Sequence, residues 1–258
     1  MSNSVFLITP PFTQLNTPYP ATAYLKGFLN TKAISSFQAD LGIEVTLRLF
    51  SKQGLERLFA HINAAPPAEV PENVARMLVL QEDYIQTIDA VILFLQGKNP
   101  TLAHLICKRD YLPEASRFAQ LDDLNWAFGA MGTQDKAKHL ATMYLEDLSD
   151  LIMECVDPHF GFSRYAERLS RSANSFDELY NALLAAPTYI DHILTDLLAG
   201  HMEGLQPALV AISVPFPGNL YAGLRCGQWI KQHYPGVKVA MGGGFPNTEL
   251  RSLSEVRV

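Results

Sequence analysis

The chain has 258 residues, 48% of them hydrophobic, and a formal net charge of −6 at pH 7; this is apolar material for one large domain or two modest ones, and the acidic balance argues against nucleic acid as the main partner. No uninterrupted apolar stretch is long enough to span a membrane, and residues 1–20 lack the basic region and apolar core of a signal peptide. Three widely separated cysteines, Cys107, Cys155 and Cys226, make neither a disulfide framework nor a C-x-x-C pair, so a reducing, cytoplasmic setting is expected.

Val5 to Ile8 reads as a buried strand. Thr9-Pro10-Pro11-Phe12 follows as a stiff loop, because proline fixes φ and cannot donate to a ladder. The pattern then predicts a helix over Ala21–Ala39 and a second strand over Ile43–Phe50. Almost all of the next segment, 52–206, has a helical rhythm. Lys52–Asn63 is amphipathic through Leu55, Leu58, Phe59 and Ile62. Pro71 suits the first turn of a helix running to about Gly97; within it Ala90–Leu95 is a short apolar run, read as helix because no turn signal precedes it. Asn99-Pro100 is a cap and first-turn proline for a helix through Cys107. Lys136–Val156 is the clearest helix, Ser175-Phe-Asp-Glu178 a capping box for the next, and Thr188–Glu203 the last of the segment.

The final stretch returns to strands. Leu209–Val214 is a β-branched run ended by Pro215 and Pro217. Asn219–His233 is helical, Pro235-Gly236 breaks it, Val237–Met241 is a strand, and Gly242, Gly243 and Gly244 turn the chain. Strands joined by one helix run parallel with right-handed crossovers. The expected fold is therefore α/β: a Rossmann-like (flavodoxin-like) parallel sheet with a large all-helical insertion, and with the sheet truncated at the C-terminus. Residues 1–51 form its first part, 52–206 the insertion and 207–258 its second part. The insertion has 12 Lys+Arg against 22 Asp+Glu, net −10, and the remainder 8 against 4, net +4. A mildly basic sheet portion suits a phosphate-bearing ligand, while the acidic excess of the insertion also suits solvated helix faces.

In such a sheet the loops after the strands meet at the carboxyl edge, where open α/β folds bind ligands. The candidate binding residues are therefore Thr9, Pro10, Pro11 and Phe12 after the first strand, and Ser213, Val214, Pro215, Phe216 and Asn219 after the third. Gly242, Gly243, Gly244 and Phe245 follow the last one. Glycine permits close backbone approach to a phosphate, although a tight strand-to-helix turn with no ligand needs it equally. No catalytic residue is assigned. The histidines are scattered without H-x-x-x-H or similar metal-ligand spacing, and no G-x-S-x-G, G-x-x-x-x-G-K-[ST] or G-x-G-x-x-G occurs. Tyr19, Tyr24 and Arg164 are further residues that could reach a ligand; a salt bridge within the acidic insertion accounts for Arg164 equally well.

Ile8-Thr-Pro-Pro-Phe-Thr-Gln-Leu-Asn-Thr-Pro-Tyr-Pro20, followed by Tyr24-Leu-Lys-Gly27, resembles the opening of cobalamin-dependent radical S-adenosylmethionine proteins. Leu209–Ser213, Asn219, Ile230-Lys231 and Met241–Gly244 resemble their cobalamin-binding Rossmann-like domain. The likeness covers both α/β ends and the insertion only loosely. It implies a cobalamin held at the carboxyl edge and a second domain in cis, with a C-x-x-x-C-x-x-C loop for a 4Fe-4S cluster and S-adenosylmethionine. This sequence has no such cysteine spacing, so the chain is expected to be the cofactor-binding part and to carry neither radical activity nor a cluster. Many cobalamin domains place D-x-H-x-x-G after the first strand; here Thr9–Asn16 has no histidine. The nearest imitation, Asp157-Pro-His159-Phe-Gly161, is one residue short and reads as a cap and turn. Two other readings stay open: a stand-alone corrinoid carrier or sensor, and a Rossmann-type nucleotide-sugar or dinucleotide enzyme.

Overall fold

A computed structural model of the chain describes residues 4–13, 19–67, 69–119, 132–162, 176–251 and 257. The fold is α/β and Rossmann-like with a helical insertion. Four parallel strands, β1 (Val5–Thr9), β2 (Ser36–Asp40), β3 (Leu209–Ser213) and β4 (Lys238–Gly242), lie in the order β2-β1-β3-β4. Eleven helices accompany them among the described residues. The chain divides into two compact units, residues 1–46 with 159–258, and residues 47–158.

In the sheet unit, β1 leads through α1 (Ala21–Thr31) to β2, and β3 leads through α10 (Leu220–His233) to β4. The first crossover steps to one side of β1 and the second to the opposite side of β3. Right-handed connections therefore place α1 and α10 on opposite faces. The α10 face is fixed by Gly223: a Cβ there would lie 3.2 Å from Val214 Cγ2, 3.4 Å from Ile212 Cγ2 and 3.5 Å from Pro10 Cγ. Phe6, of the same parity as Ile8, packs against His201 of α9 (Tyr189–Leu205), with ring centroids 5.3 Å apart. His201 Nε2 in turn lies 2.8 Å from Glu44 of α2 (Leu41–Leu49).

The first third of the sheet unit differs from expectation. The predicted helix stops at Thr31, its last residues form strand β2, and the predicted strand Ile43–Phe50 is helix α2. Ile43, Val45, Leu47 and Leu49 alternate as a strand would. The three residues with no exposed surface, Leu41, Val45 and Leu49, are instead spaced by four and form one helical face. Asp40 starts that helix by accepting from Ile43 N at 3.1 Å. Ser36–Asp40 has little strand propensity of its own, but pairs along its whole length with β1; tertiary pairing overrides local preference here.

The two compact units part at 46/47 and 158/159. Helix α8 (Asp177–Leu184) and α9 belong with the sheet, because α10 binds both through one buried polar cluster. Arg225 donates to the carbonyls of Leu183 and Ala182, each at 2.9 Å. Its Nε lies 3.1 Å from Asp191 Oδ2, and Tyr221 OH donates to the same oxygen at 2.7 Å. Asp191 is the N3 residue of a capping box with Thr188, so one carboxylate both opens α9 and anchors α10. Predicted Ser175 of the earlier capping box lies outside the described residues.

The helical unit holds α3 (Lys52–Ala64), α4 (Glu72–Val79), α5 (Gln81–Leu95), α6 (Ala103–Cys107) and α7 (Thr133–Cys155). The single helix predicted from Pro71 is two, broken at Leu80, and Ala90–Leu95 is helical as expected. A 3₁₀ turn at Pro100–Leu102 precedes α6, and Asn99 makes no side-chain capping bond. Tyr84 of α5 stacks on Tyr144 of α7 with centroids 5.1 Å apart, and Tyr144 OH donates to Tyr84 O at 3.1 Å. Asp147 is fully buried and accepts from the N–H groups of Ala115 and Arg117 at 3.1 and 3.0 Å. No described helix is long and apolar enough to cross a membrane.

Candidate functional site

Strand order reverses between β1 and β3, the switch point at whose carboxyl edge open α/β sheets form their ligand-binding crevice. Residues directly paired across parallel strands point to the same face. Thr9 pairs with Asp40, and Ser213 with Gly242. The β1–β3 register, Val5 with Leu209 through Ile8 with Ile212, brings Thr9 beside Ser213 at its next step. Thr9 and Ser213 therefore sit side by side at the switch point, on the face opposite α10.

Both hydroxyls are buried, Thr9 at 1% exposure and Ser213 at 5%, and neither oxygen has a hydrogen-bond partner among the described residues. Asn219, fully buried at the start of α10, closes the crevice from the other loop. Its Nδ2 donates to Pro10 O at 2.8 Å across 209 residues of chain, and its Oδ1 has no partner among the described residues. A buried polar group left unsatisfied costs about 1–3 kcal/mol, and such groups are few in native folds. Three of them at the ends of β1 and β3 and in the turn before α10 mark a place where a polar partner is due.

The other expected residues divide by role. Pro10, Pro11, Val214 and Pro215 are buried and form stiff walls. Phe12 is committed to the interior, 1% exposed and edge-on to Phe160 at 5.6 Å. Phe216 is 54% exposed and lies edge-on to Tyr19 at 5.8 Å, an aromatic pair that joins the β3–α10 loop to the chain entering α1. Tyr24 is exposed on α1; Arg164 lies outside the described residues.

The glycine turn is drawn tightly onto β3. Gly243 has φ +121° and ψ −175°, and a Cβ there would lie 2.5 Å from Val214 O and 2.8 Å from Val214 C. Val214 N donates to Gly242 O at 2.7 Å, and Phe245 N to Val214 O at 3.3 Å. A Cβ on Gly244 would stand 3.0 Å from Pro215 O. The close approach that needs glycine is thus between two strands' ends. The helix that follows, α11 (Gly244–Thr248), has five residues, too few to build much dipole.

Asp40, at the end of β2, was hidden from sequence reasoning because the second strand was placed at 43–50. Burial raises its carboxyl above the ordinary range, opposed by hydrogen bonds from the Ile43 and Gly42 backbone. The signal was an acid just before an apolar helical face, which is a cap pattern. Asp157-Pro-His159 forms the turn after α7, as expected. No group of three or more His, Cys, Asp or Glu that could hold a metal ion occurs among the described residues.

Cys226 is fully buried on α10, and burial, helped by the charge of Asp191, pushes its thiol up to about 12. It should stay inert to a thiol reagent at pH 8 in the native chain and react only on unfolding. Cys107 and Cys155 are partly exposed and also raised by burial, so they should react slowly but first. Mass-spectrometric mapping of the labelled sites over time checks this; early labelling of Cys226 would mean that α10 opens readily.

Comparison with known proteins does not identify the chain: no family model, no curated protein and no solved structure matches it.

Proposed function

We propose that the chain binds cobalamin across the carboxyl edge of the sheet, as the cofactor-holding part of a radical S-adenosylmethionine enzyme. The observation that carries this is the switch point between β1 and β3, walled by proline loops, with the orphaned oxygens of Thr9, Ser213 and Asn219 buried beneath them. Stiff apolar walls suit a broad rigid ring, since little loop entropy is lost on binding, and the orphaned oxygens suit its polar margin. Phe216 with Tyr19 offers an exposed aromatic edge beside it. Cobalamin would supply methyl-transfer or related radical chemistry when bound, and the loops Thr9–Phe12 and Ser213–Phe216 with Asn219 would hold it. A 4Fe-4S cluster and S-adenosylmethionine belong, in this reading, to a further domain in cis. The described loop Thr9–Thr13 contains no histidine, so cobalt is expected to take no imidazole from it.

Reconstitution with hydroxocobalamin, gel filtration and a visible spectrum test the reading. The expected result is retained cobalamin whose spectrum lacks histidine ligation and is unchanged in His159→Ala. A histidine-ligated spectrum lost in that variant would overturn the ligand assignment, and no retention would overturn the reading itself.

A Rossmann-type nucleotide enzyme has one observation in its favour. Asp40 ends β2 beside β1, where dinucleotide sites hold a ribose diol. Against it, Asp40 already caps α2, and the loop after β1 has prolines where the phosphate-binding fingerprint has glycines. Retention of a reduced nicotinamide cofactor in place of cobalamin would favour it.

A further inference from the structure

We infer that the crevice between β1 and β3 selects neutral hydrogen-bond donors, primary carboxamide groups of the ligand, through Thr9 Oγ1, Ser213 Oγ and Asn219 Oδ1. This rests on the cobalamin reading and refines it, because the corrin margin carries primary carboxamides and the nucleotide tail carries a phosphate. The two ends of the cofactor therefore make opposite demands on these atoms.

Asn219 decides between them. A carbonyl oxygen can only accept, so the amide nitrogen must be the atom facing Pro10 O, at 2.8 Å. That fixes Oδ1 as the remaining atom, an acceptor with no exposed surface on its residue and no partner. An acceptor in so dry a place attracts an N–H or O–H and repels a phosphate or carboxylate. The hydroxyls of Thr9 and Ser213, side by side at the ends of neighbouring strands, can each donate or accept, so the pair can meet both the NH₂ and the C=O of a carboxamide, with Asn219 Oδ1 a further acceptor.

Several donors and cations described near this edge are already engaged. Lys26 donates to Ser36 O at 2.8 Å, and Arg225 is held by Asp191 and two carbonyls. In the glycine turn, Phe245 N–H is engaged with Val214 O, and Pro246 has no N–H to offer. The α2 N-terminus is occupied by Asp40. Because the three oxygens touch no solvent, a ligand group that meets them replaces contacts made by the carboxyl-edge loops.

The test compares wild type, Thr9→Val, Ser213→Ala and the double variant by melting temperature and by affinity for hydroxocobalamin. Each substitution removes a hydroxyl that has no partner among the described residues, so the melting temperature should hold or rise. Affinity should fall roughly tenfold for each hydroxyl removed. Cobalamin with one peripheral carboxamide hydrolysed to a carboxylate should bind the wild type more weakly than the parent. Equal cobalamin affinity in wild type and double variant would overturn the inference while leaving cobalamin binding intact. A melting temperature that collapses in Thr9→Val and Ser213→Ala would assign the hydroxyls to folding and overturn it as well. Failure of the wild type to bind cobalamin at all would remove both this inference and the reading beneath it.

Discussion

Asp191→Ala should lower the unfolding free energy by about 3–5 kcal/mol, the cost of removing one partner from a buried ion pair. Asp191 has no exposed surface, and Arg225 has 6%. The carboxylate accepts from Tyr221 OH at 2.7 Å and from Thr188 N at 3.1 Å, and lies 3.1 Å from Arg225 Nε. Its loss leaves a guanidinium in the interior with only carbonyls and Tyr221 for company, and leaves α9 without its capping box. Domains of this size are stable by only about 5–15 kcal/mol in total, so the sheet unit would be close to unfolding. Tyr221→Phe removes a hydroxyl that donates to Asp191 and accepts from Arg225 Nη2, and should cost about 1–3 kcal/mol. Replacing both charges, in Asp191→Ala with Arg225→Met, should recover part of the single-variant loss, since the uncompensated charge goes too. Urea unfolding of the four proteins measures this. A single variant within about 1 kcal/mol of wild type would show that water or another group rehydrates Arg225, and that α8, α9 and α10 are not held together as described.

Gly243→Ala should cost about 3 kcal/mol or more, combining a backbone conformation nearly closed to residues with a Cβ and overpacking against fixed backbone. At φ +121° and ψ −175°, the added methyl would meet Val214 O at 2.5 Å and Val214 C at 2.8 Å. Val214 cannot retreat, because it is fully buried and its N–H is bonded to Gly242 O at 2.7 Å. Gly242→Ala next door is the control: a Cβ there meets nothing within 4 Å, so its effect should stay within about 1 kcal/mol. Melting curves and cobalamin affinity should be recorded for both. The structure makes folding the first casualty of Gly243→Ala. A variant as stable as wild type that has lost only cobalamin affinity would assign the glycine to the ligand instead.

Local chemistry makes β1, β3, β4, α9 and α10 legible in the sequence. Their apolar runs are β-branched or spaced by three and four, and are bounded by Thr9-Pro10-Pro11, Pro215, Pro235-Gly236 and Thr188, whose backbone and capping preferences act within a few residues. The parallel α/β class followed, because strands joined by single helices have few other arrangements. The carboxyl edge was legible as the place of the candidate site for the same reason. Residues 36–50 were not, because Ile43-Glu-Val-Thr-Leu-Arg-Leu-Phe50 fits an alternating and a helical pattern alike. Pairing of Ser36–Asp40 with β1, and burial of Leu41, Val45 and Leu49 on one face, chose between them. The tie of α8 and α9 to the sheet also needed the fold, since Asp191, Tyr221 and Arg225 look like ordinary helix residues until α10 is laid against α9. The polarity of the crevice was decided only there as well. A hydroxyl at Thr9 or Ser213 and an amide at Asn219 are unremarkable in sequence. Strand register sets Thr9 beside Ser213, Asn219 reaches Pro10, and all three are buried with an oxygen that has no partner among the described residues.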